Sequence, residues 1–208
     1  LGTANVVDAC ASVGAKAICL STDYVFDGTK TEAYLEHDPV NPLSIYGKSK
    51  LFAEREALSR GNAYVVRTQW VFGAGGRNFV DTMLKLGSER SELKVVDDQR
   101  GCPTFSGHLA AGLWRIAAAD PGPGIYHLSA RGSASWCEFA RKIFQETGMK
   151  TVVDPCATSE FPRPARRPAF GVLRNFHLEL SLGDPMPPWE EGLRCYLAQR
   201  QIPTTFTP

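Results

Sequence analysis

Two short, unbroken apolar runs constrain this chain most: Ala17-Ile18-Cys19-Leu20 and Ala63-Tyr64-Val65-Val66. A strand with one wet face alternates apolar and polar residues. A strand covered on both faces does not, and it belongs in a parallel sheet. A helix is expected over Thr3–Val13, with Val6, Val7, Cys10 and Val13 as its apolar stripe and Gly14 as its stop. Helix, tight turn, buried strand is the order of a doubly wound α/β fold, in which ligands sit outside the carboxyl ends of the strands. Those ends carry Ser21-Thr22-Asp23-Tyr24 and Thr68-Gln69-Trp70.

The rest of the chain reads in the same grammar. Asp27-Gly28-Thr29 is a turn, and 31–41 is a polar surface loop. A helix is expected to begin at Asn41-Pro42, with Pro42 near its first position, and to run through Leu58. Gly73-Ala74-Gly75-Gly76-Arg77-Asn78 lacks the third glycine of a dinucleotide fingerprint, because Asn78 stands in its place. It reads as a flexible loop near the substrate. Helices are expected over Phe79–Leu86, Leu109–Ala119, Trp189–Gln199 and from Ser135, as N-cap, to Thr147. Strands are expected at Leu93–Val96, Ile125–Leu128 and Thr151–Val153, with a polar loop from Asp97 to Phe105. Residues 161–168, FPRPARRP, are too proline-rich for a helix interior.

Tyr46 and Lys50 lie four residues apart on the expected helix, hence on one face, one turn from each other. A phenol, with a pKa of about 10, is by itself a poor acid or base at neutral pH. An ammonium within ~4–6 Å favours the phenolate. The Thr22 hydroxyl at the strand end can grip the same oxygen, and the three groups together suit proton transfer to a carbonyl.

Lys and Arg number 23 against 22 Asp and Glu, a net charge of +1, so neither nucleic acid nor an anionic membrane is the expected partner. No apolar run approaches the ~20 residues of a membrane helix. The six cysteines lack CxxC or zinc-type spacing, and no metal site is expected. Cys10 and Cys19 read as buried thiols, and the location as a reducing cytoplasm. His37, His108 and His177 read as structural or surface residues, and His127, inside Ile125-Tyr126-His127-Leu128, as a core histidine.

These motifs resemble the extended short-chain dehydrogenase/reductase family. Ser21 to Gly28 (STDYVFDG) and Tyr46-Gly47-Lys48-Ser49-Lys50 look most like its dTDP-4-dehydrorhamnose reductase branch. Further likenesses follow in order along the chain. They are Gly2-Thr3-Ala4-Asn5-Val6-Val7, Arg67 to Gly73 (RTQWVFG), Asp98 to Thr104 (DQRGCPT), Gly124-Ile125-Tyr126-His127-Leu128 and Arg167-Pro168.

The resemblance implies the C-terminal part of a Rossmann-type sheet plus a small α/β substrate lobe. Residues 1–72 would be the second half of the dinucleotide-binding domain. Residues 73–208 would be mainly the substrate lobe, with 105–129 returning to the sheet. Thr22, Tyr46 and Lys50 would be catalytic, with Tyr46 protonating the C4 oxygen of a 4-keto sugar as NADPH (or NADH) delivers hydride. Tyr46, Lys50, Arg67 and Thr68 would border the cofactor. Thr22, Asp23, Tyr24, Trp70, Asn78 and Arg167 would border a nucleotide-sugar substrate, with Arg163 and Arg166 near its diphosphate. A homodimer is compatible with the family. The family's glycine-rich pyrophosphate loop does not occur in this sequence, so the chain is expected to be part of a longer reductase and, alone, to be inactive or nearly so.

Two alternatives share the Tyr/Lys pair. A nucleotide-sugar dehydratase or epimerase is one, although dehydratases place Asp-Glu after the threonine where this chain has Asp23-Tyr24. A non-catalytic subunit resembling the methionine adenosyltransferase β subunit is the other.

Overall fold

The computed structural model describes residues 2–161, 165–184 and 186–201. In chain order the elements are α1 (Gly2–Ser12), β1 (Ala17–Thr22), a 3-10 turn (Asp23–Val25), α2 (Ile45–Leu58), β2 (Ala63–Thr68), β3 (Val71–Phe72) and α3 (Phe79–Glu89). There follow β4 (Glu92–Val96), β5 (Arg100–Gly101), β6 (Thr104–Phe105), α4 (Ser106–Ala119), β7 (Gly124–His127) and β8 (Ala134–Ser135). The chain continues through α5 (Trp136–Thr147), β9 (Val152–Cys156), a second 3-10 turn (Thr158–Glu160), α6 (Phe176–Ser181) and α7 (Trp189–Gln201).

The main sheet is parallel, in the order β1-β2-β7, with Thr22 beside Thr68 and Arg67 beside His127. β2 is its buried centre. Side chains alternate across a strand, so its residues divide between two cores. Ala63 and Val65 pack with Val7, Ala17 and Ala57 from the α1 and α2 side. Tyr64 and Val66 pack with Leu109, Ile116, Tyr126 and Leu178 from the α4 and α6 side. The fold is therefore α/β, with a parallel sheet covered on both faces. A third core gathers α3, α5 and α7 over β4 and β9, built on Val80, Met83, Leu93, Phe139, Ile143 and Leu193.

β1 is more open than its apolar run implies. Among the described residues it pairs on one side only, and Leu20 is 46% exposed. Cys10 and Cys19, expected buried, are half-buried, whereas Cys102, Cys137 and Cys156 are buried. The start of α2 also differs. Pro42 lies outside the helix, and Ser44 is the cap, its Oγ accepting the Gly47 N–H at 3.1 Å. The expected cap at Ser135 is present as a reciprocal box with Glu138, and Gly148 ends that helix. The Asp97–Phe105 loop holds two short strands, β5 and β6. Helix α6 was not anticipated, because six residues are too few for a periodic signal. No helix among the described residues is long and apolar enough to cross a membrane.

Candidate active site

The expected reacting groups converge on the end of β1. Thr22 is its last residue, and its Oγ1 accepts the Tyr24 N–H at 3.2 Å, capping the 3-10 turn. The same hydroxyl donates to Asp23 Oδ1 at 3.0 Å. Asp23 is 3% exposed, and its carboxyl is pushed up to about 7. Burial is the main cause, opposed by hydrogen bonds from Thr22 and the local backbone. Burial likewise raises the Tyr24 phenol, against a lowering influence from Arg167.

Helix α2 brings Tyr46 and Lys50 to this corner. Tyr46 is 53% exposed and meets the Tyr24 ring edge-on, with centroids 5.7 Å apart. Lys50 Nζ donates to the Leu20 carbonyl of β1 at 2.6 Å. One turn further along the helix, Glu54 is 3% exposed and accepts from Ser21 Oγ at 2.5 Å. Two consecutive turns of α2 thus hold two consecutive residues of β1. A hollow of about 250 Å³ opens beside them, lined by Gly2, Thr3, Val6, Cys19, Leu20 and Lys50 among others.

Arg67 is enclosed by protein, and Thr68 lies beside Thr22 at the end of β2. The Arg67 side chain is 2% exposed and forked onto Glu54, with Nε to Oε1 at 2.9 Å and Nη2 to Oε2 at 2.8 Å. It also lies 5.0 Å from the Phe26 ring centroid. A guanidinium so enclosed is a structural tie between β2 and α2. Thr68 is 7% exposed, and its buried Oγ1 has no hydrogen-bond partner among the described residues. Beside Arg67, His127 is the expected core histidine, fully buried. Its Nδ1 faces the Arg174 carbonyl at 3.1 Å, so the proton sits on Nδ1 and Nε2 turns its lone pair towards Arg67. Burial first, then the Arg67 charge, pushes this imidazole down to about 3.

Trp70 follows the end of β2 in a left-handed conformation, φ 46°, rare for a bulky residue and a mark of stored strain. Its ring stacks on Trp136 with centroids 3.4 Å apart and planes 7° from parallel. The backbone at Gly101 admits this ring, since a β-carbon there would lie 2.5 Å from Trp70 Cε2. Between Asp23 and Trp70 stands Gln69, 3% exposed, with neither side-chain atom hydrogen-bonded among the described residues. Sequence reasoning passed over Gln69, Glu54 and Trp136. The only available signals were Gln69's place at a strand end and Glu54's spacing of four from Lys50.

Asn78 also departs from expectation. Its Oδ1 caps α3 by accepting the Asp81 N–H at 3.0 Å, and its Nδ2 donates to the Gly73 carbonyl at 3.0 Å. So engaged, the amide serves as the cap of α3. Arg166 and Arg167 line a cleft of about 710 Å³ with Phe79, Lys94, Gln99 and Trp136. Arg163 lies outside the described residues.

Comparison with known proteins shows what the chain is similar to. The model of the RmlD substrate binding domain family matches residues 1–202. The chain is 43% identical over 189 residues to the spore coat polysaccharide biosynthesis protein SpsK of Bacillus subtilis, covering 90% of this chain and 66% of that protein. It superimposes on a dTDP-4-dehydrorhamnose reductase from Clostridium acetobutylicum with TM-score 0.94 and 45% identity, covering 97% of this chain and 71% of the other. A dTDP-4-dehydrorhamnose reductase from Bacillus anthracis, solved in complex with NADP, gives TM-score 0.92 and 41% identity, covering 95% and 70%. The chain thus spans about two thirds of the length of the proteins it resembles.

Proposed function

This chain belongs to the RmlD substrate binding domain family, and from that membership we propose that the whole protein reduces the 4-keto group of dTDP-4-dehydro-L-rhamnose with NADPH, giving dTDP-L-rhamnose. The observation that carries the reading is the anchoring of Lys50 Nζ on the Leu20 carbonyl, two residues before Thr22 and one turn from Tyr46. The relatives named dTDP-4-dehydrorhamnose reductase support the same substrate.

Lys50 has three donors and gives one to Leu20, so two remain for the hydroxyls of the nicotinamide ribose. That surplus, with the exposed Tyr46 phenol beside it, fits a dinucleotide at the mouth of β1. NADPH, when bound, supplies the hydride. Tyr46 gives its proton to the C4 oxygen, and Thr22 steadies that oxygen by a hydrogen bond. Asp23, Tyr24 and Trp70 shape the sugar pocket. Arg167, and Arg166 beside it, bind the nucleotide diphosphate across the large cleft, where guanidinium forks suit phosphate oxygens.

Residues 1–72 carry the reacting groups, and 73–208 mainly hold the sugar nucleotide, with 105–129 belonging to the sheet. The six free thiols suit a reducing cytoplasm. The test is the whole protein with dTDP-4-dehydrorhamnose and NADPH. Stoichiometric loss of the reduced-nicotinamide absorbance, with dTDP-rhamnose as product, is expected. No turnover, with tight binding to another enzyme instead, would favour a regulatory subunit and sink the reductase reading.

A further inference from the structure

The Thr22 hydroxyl has one proton and two lone pairs. One lone pair accepts the Tyr24 N–H, and the proton points at Asp23 Oδ1. An ionised carboxylate only accepts, so while Asp23 is charged this proton is engaged and cannot reach a ketone. A neutral Asp23 can reverse the bond. Its own O–H then donates to the second lone pair of Thr22, and the Thr22 proton is released towards the pocket. We propose that Asp23 is a positioning residue that sets the direction of the Thr22 hydroxyl, and that Thr22 hydrogen-bonds the keto oxygen only while Asp23 is protonated.

The surroundings of Asp23 support this assignment. The backbone of Gly171 lies against its Oδ2. Gln69, from the end of β2, faces the same space without charge. Cys102, from the segment between β5 and β6, lies behind it with its thiol pushed up to about 11 by burial. From α2, Tyr46 meets Tyr24, and the Arg167 charge acts on Tyr24. No cation is among the causes of the Asp23 shift, which are burial and hydrogen bonds. The carboxyl therefore changes charge near neutrality, where it can govern its neighbour.

No bond to Asp23 forms or breaks in the reaction. The ketone gains a hydride from NADPH and a proton from Tyr46, and Tyr46 is reprotonated from solvent. In the proton transfer Asp23 acts through the orientation of Thr22, apart from its place in the wall of the sugar pocket, and it is not a second proton donor. The inference rests on the reductase reading, and its tests keep the two apart.

The first test is the pH profile of kcat/KM for the whole protein at saturating NADPH. Wild type should lose at least ~10-fold between about pH 6 and pH 8.5, the scale of a positioned acid–base helper. In Asp23→Asn the carboxamide N–H donates to Thr22 at every pH, so the ratio of the two rates should fall to within about twofold of one. Thr22→Val should lose the same limb. A full wild-type ratio in either variant, or an Asp23→Asn protein dead at all pH values, overturns the proposal. The second test needs no turnover. Carboxyl ¹³C NMR should show the Asp23 midpoint rising by at least about half a pH unit in Thr22→Val, because the charge-assisted bond lost from the carboxylate outweighs the neutral bond lost from its protonated form. An unmoved midpoint refutes the coupling even in a protein with no reductase activity. A moved midpoint with no NADPH consumption refutes only the reductase reading.

Discussion

The α-carbon of Gly47 packs so tightly on the carbonyl of Tyr24 that a β-carbon there would lie 2.2 Å from that oxygen. Gly47 stands between Tyr46 and Lys50, so this contact sets how closely the helix bearing them approaches the strand end bearing Thr22. Alanine would ordinarily favour a helix over glycine by ~1 kcal/mol. Here the obstacle is backbone and cannot rotate away. Gly47→Ala should therefore lower stability by about 1–3 kcal/mol, the usual cost of overpacking. It should cost turnover at least ~10-fold through misplacement of the reacting groups. Urea unfolding and kcat measure both, and wild-type values in the two would show that the contact is slack.

Tyr46→Phe removes the proposed proton source while keeping the ring against Tyr24. Turnover should drop by at least ~10²-fold, the range for a positioned general acid. Thr22→Ala deletes a supporting hydrogen bond and should cost less. Near-normal turnover in Tyr46→Phe would remove that residue from the chemistry.

The Arg67–Glu54 pair is a strong determinant of stability if broken and a weak one if replaced whole. Glu54→Ala leaves a buried guanidinium without its carboxylate, and the expected loss is about 3–5 kcal/mol. Glu54→Met combined with Arg67→Met removes both charges and should recover most of that loss. Equal destabilisation by the single and double variants, read from denaturant midpoints, would contradict this account.

Two buried groups tilt the pH dependence of stability in opposite directions. His127 has a folded pKa of about 3 against a reference of 6.5. The unfolded chain therefore binds its proton first, and stability is lost as pH falls from about 6.5 towards 3. Asp23 has a folded pKa of about 7 against a reference of 3.8. The folded chain holds its proton longer, and stability is lost as pH rises from about 4 to 7. A tenfold difference in proton affinity between the folded and unfolded chain is worth roughly 1.4 kcal/mol. Relative to wild type, Asp23→Asn should gain stability at neutral pH, and the gain should shrink towards about pH 4. Thermal unfolding at a series of pH values checks the sign, and a gain that grows on acidification would reverse it.

Gly101→Ala should push the Trp70 ring off Trp136, because the added carbon would meet it at 2.5 Å. The expected signs are altered tryptophan fluorescence and a KM for the sugar nucleotide raised several-fold, with the NADPH KM little changed. An unchanged sugar-nucleotide KM would take the stacked pair out of the pocket.

Much of this architecture was legible along the chain. The runs at Ala17 and Ala63 are parallel neighbours, and the spacing of Tyr46 and Lys50 does put them on one helix beside the end of the first run. Pro42 misled, and Asn78 took up a structural role, for local reasons. A polar residue after a glycine loop can cap the next helix as readily as bind a ligand, and a proline near a helix start need not lie inside it.

Periodicity and capping are properties of contiguous residues, so the sequence by itself determined the strands, most of the helices, the face shared by Tyr46 and Lys50 and the family likeness. The fate of single charged and polar groups was decided only by the tertiary structure. Arg67 looks like any strand-end arginine until the fold brings up Glu54, 13 residues away, and His127, 60 residues away. Asp23 looks like an ordinary carboxylate until the neighbouring segments remove its water. Desolvation depends on every element that packs around a group, and no stretch of chain contains that information alone.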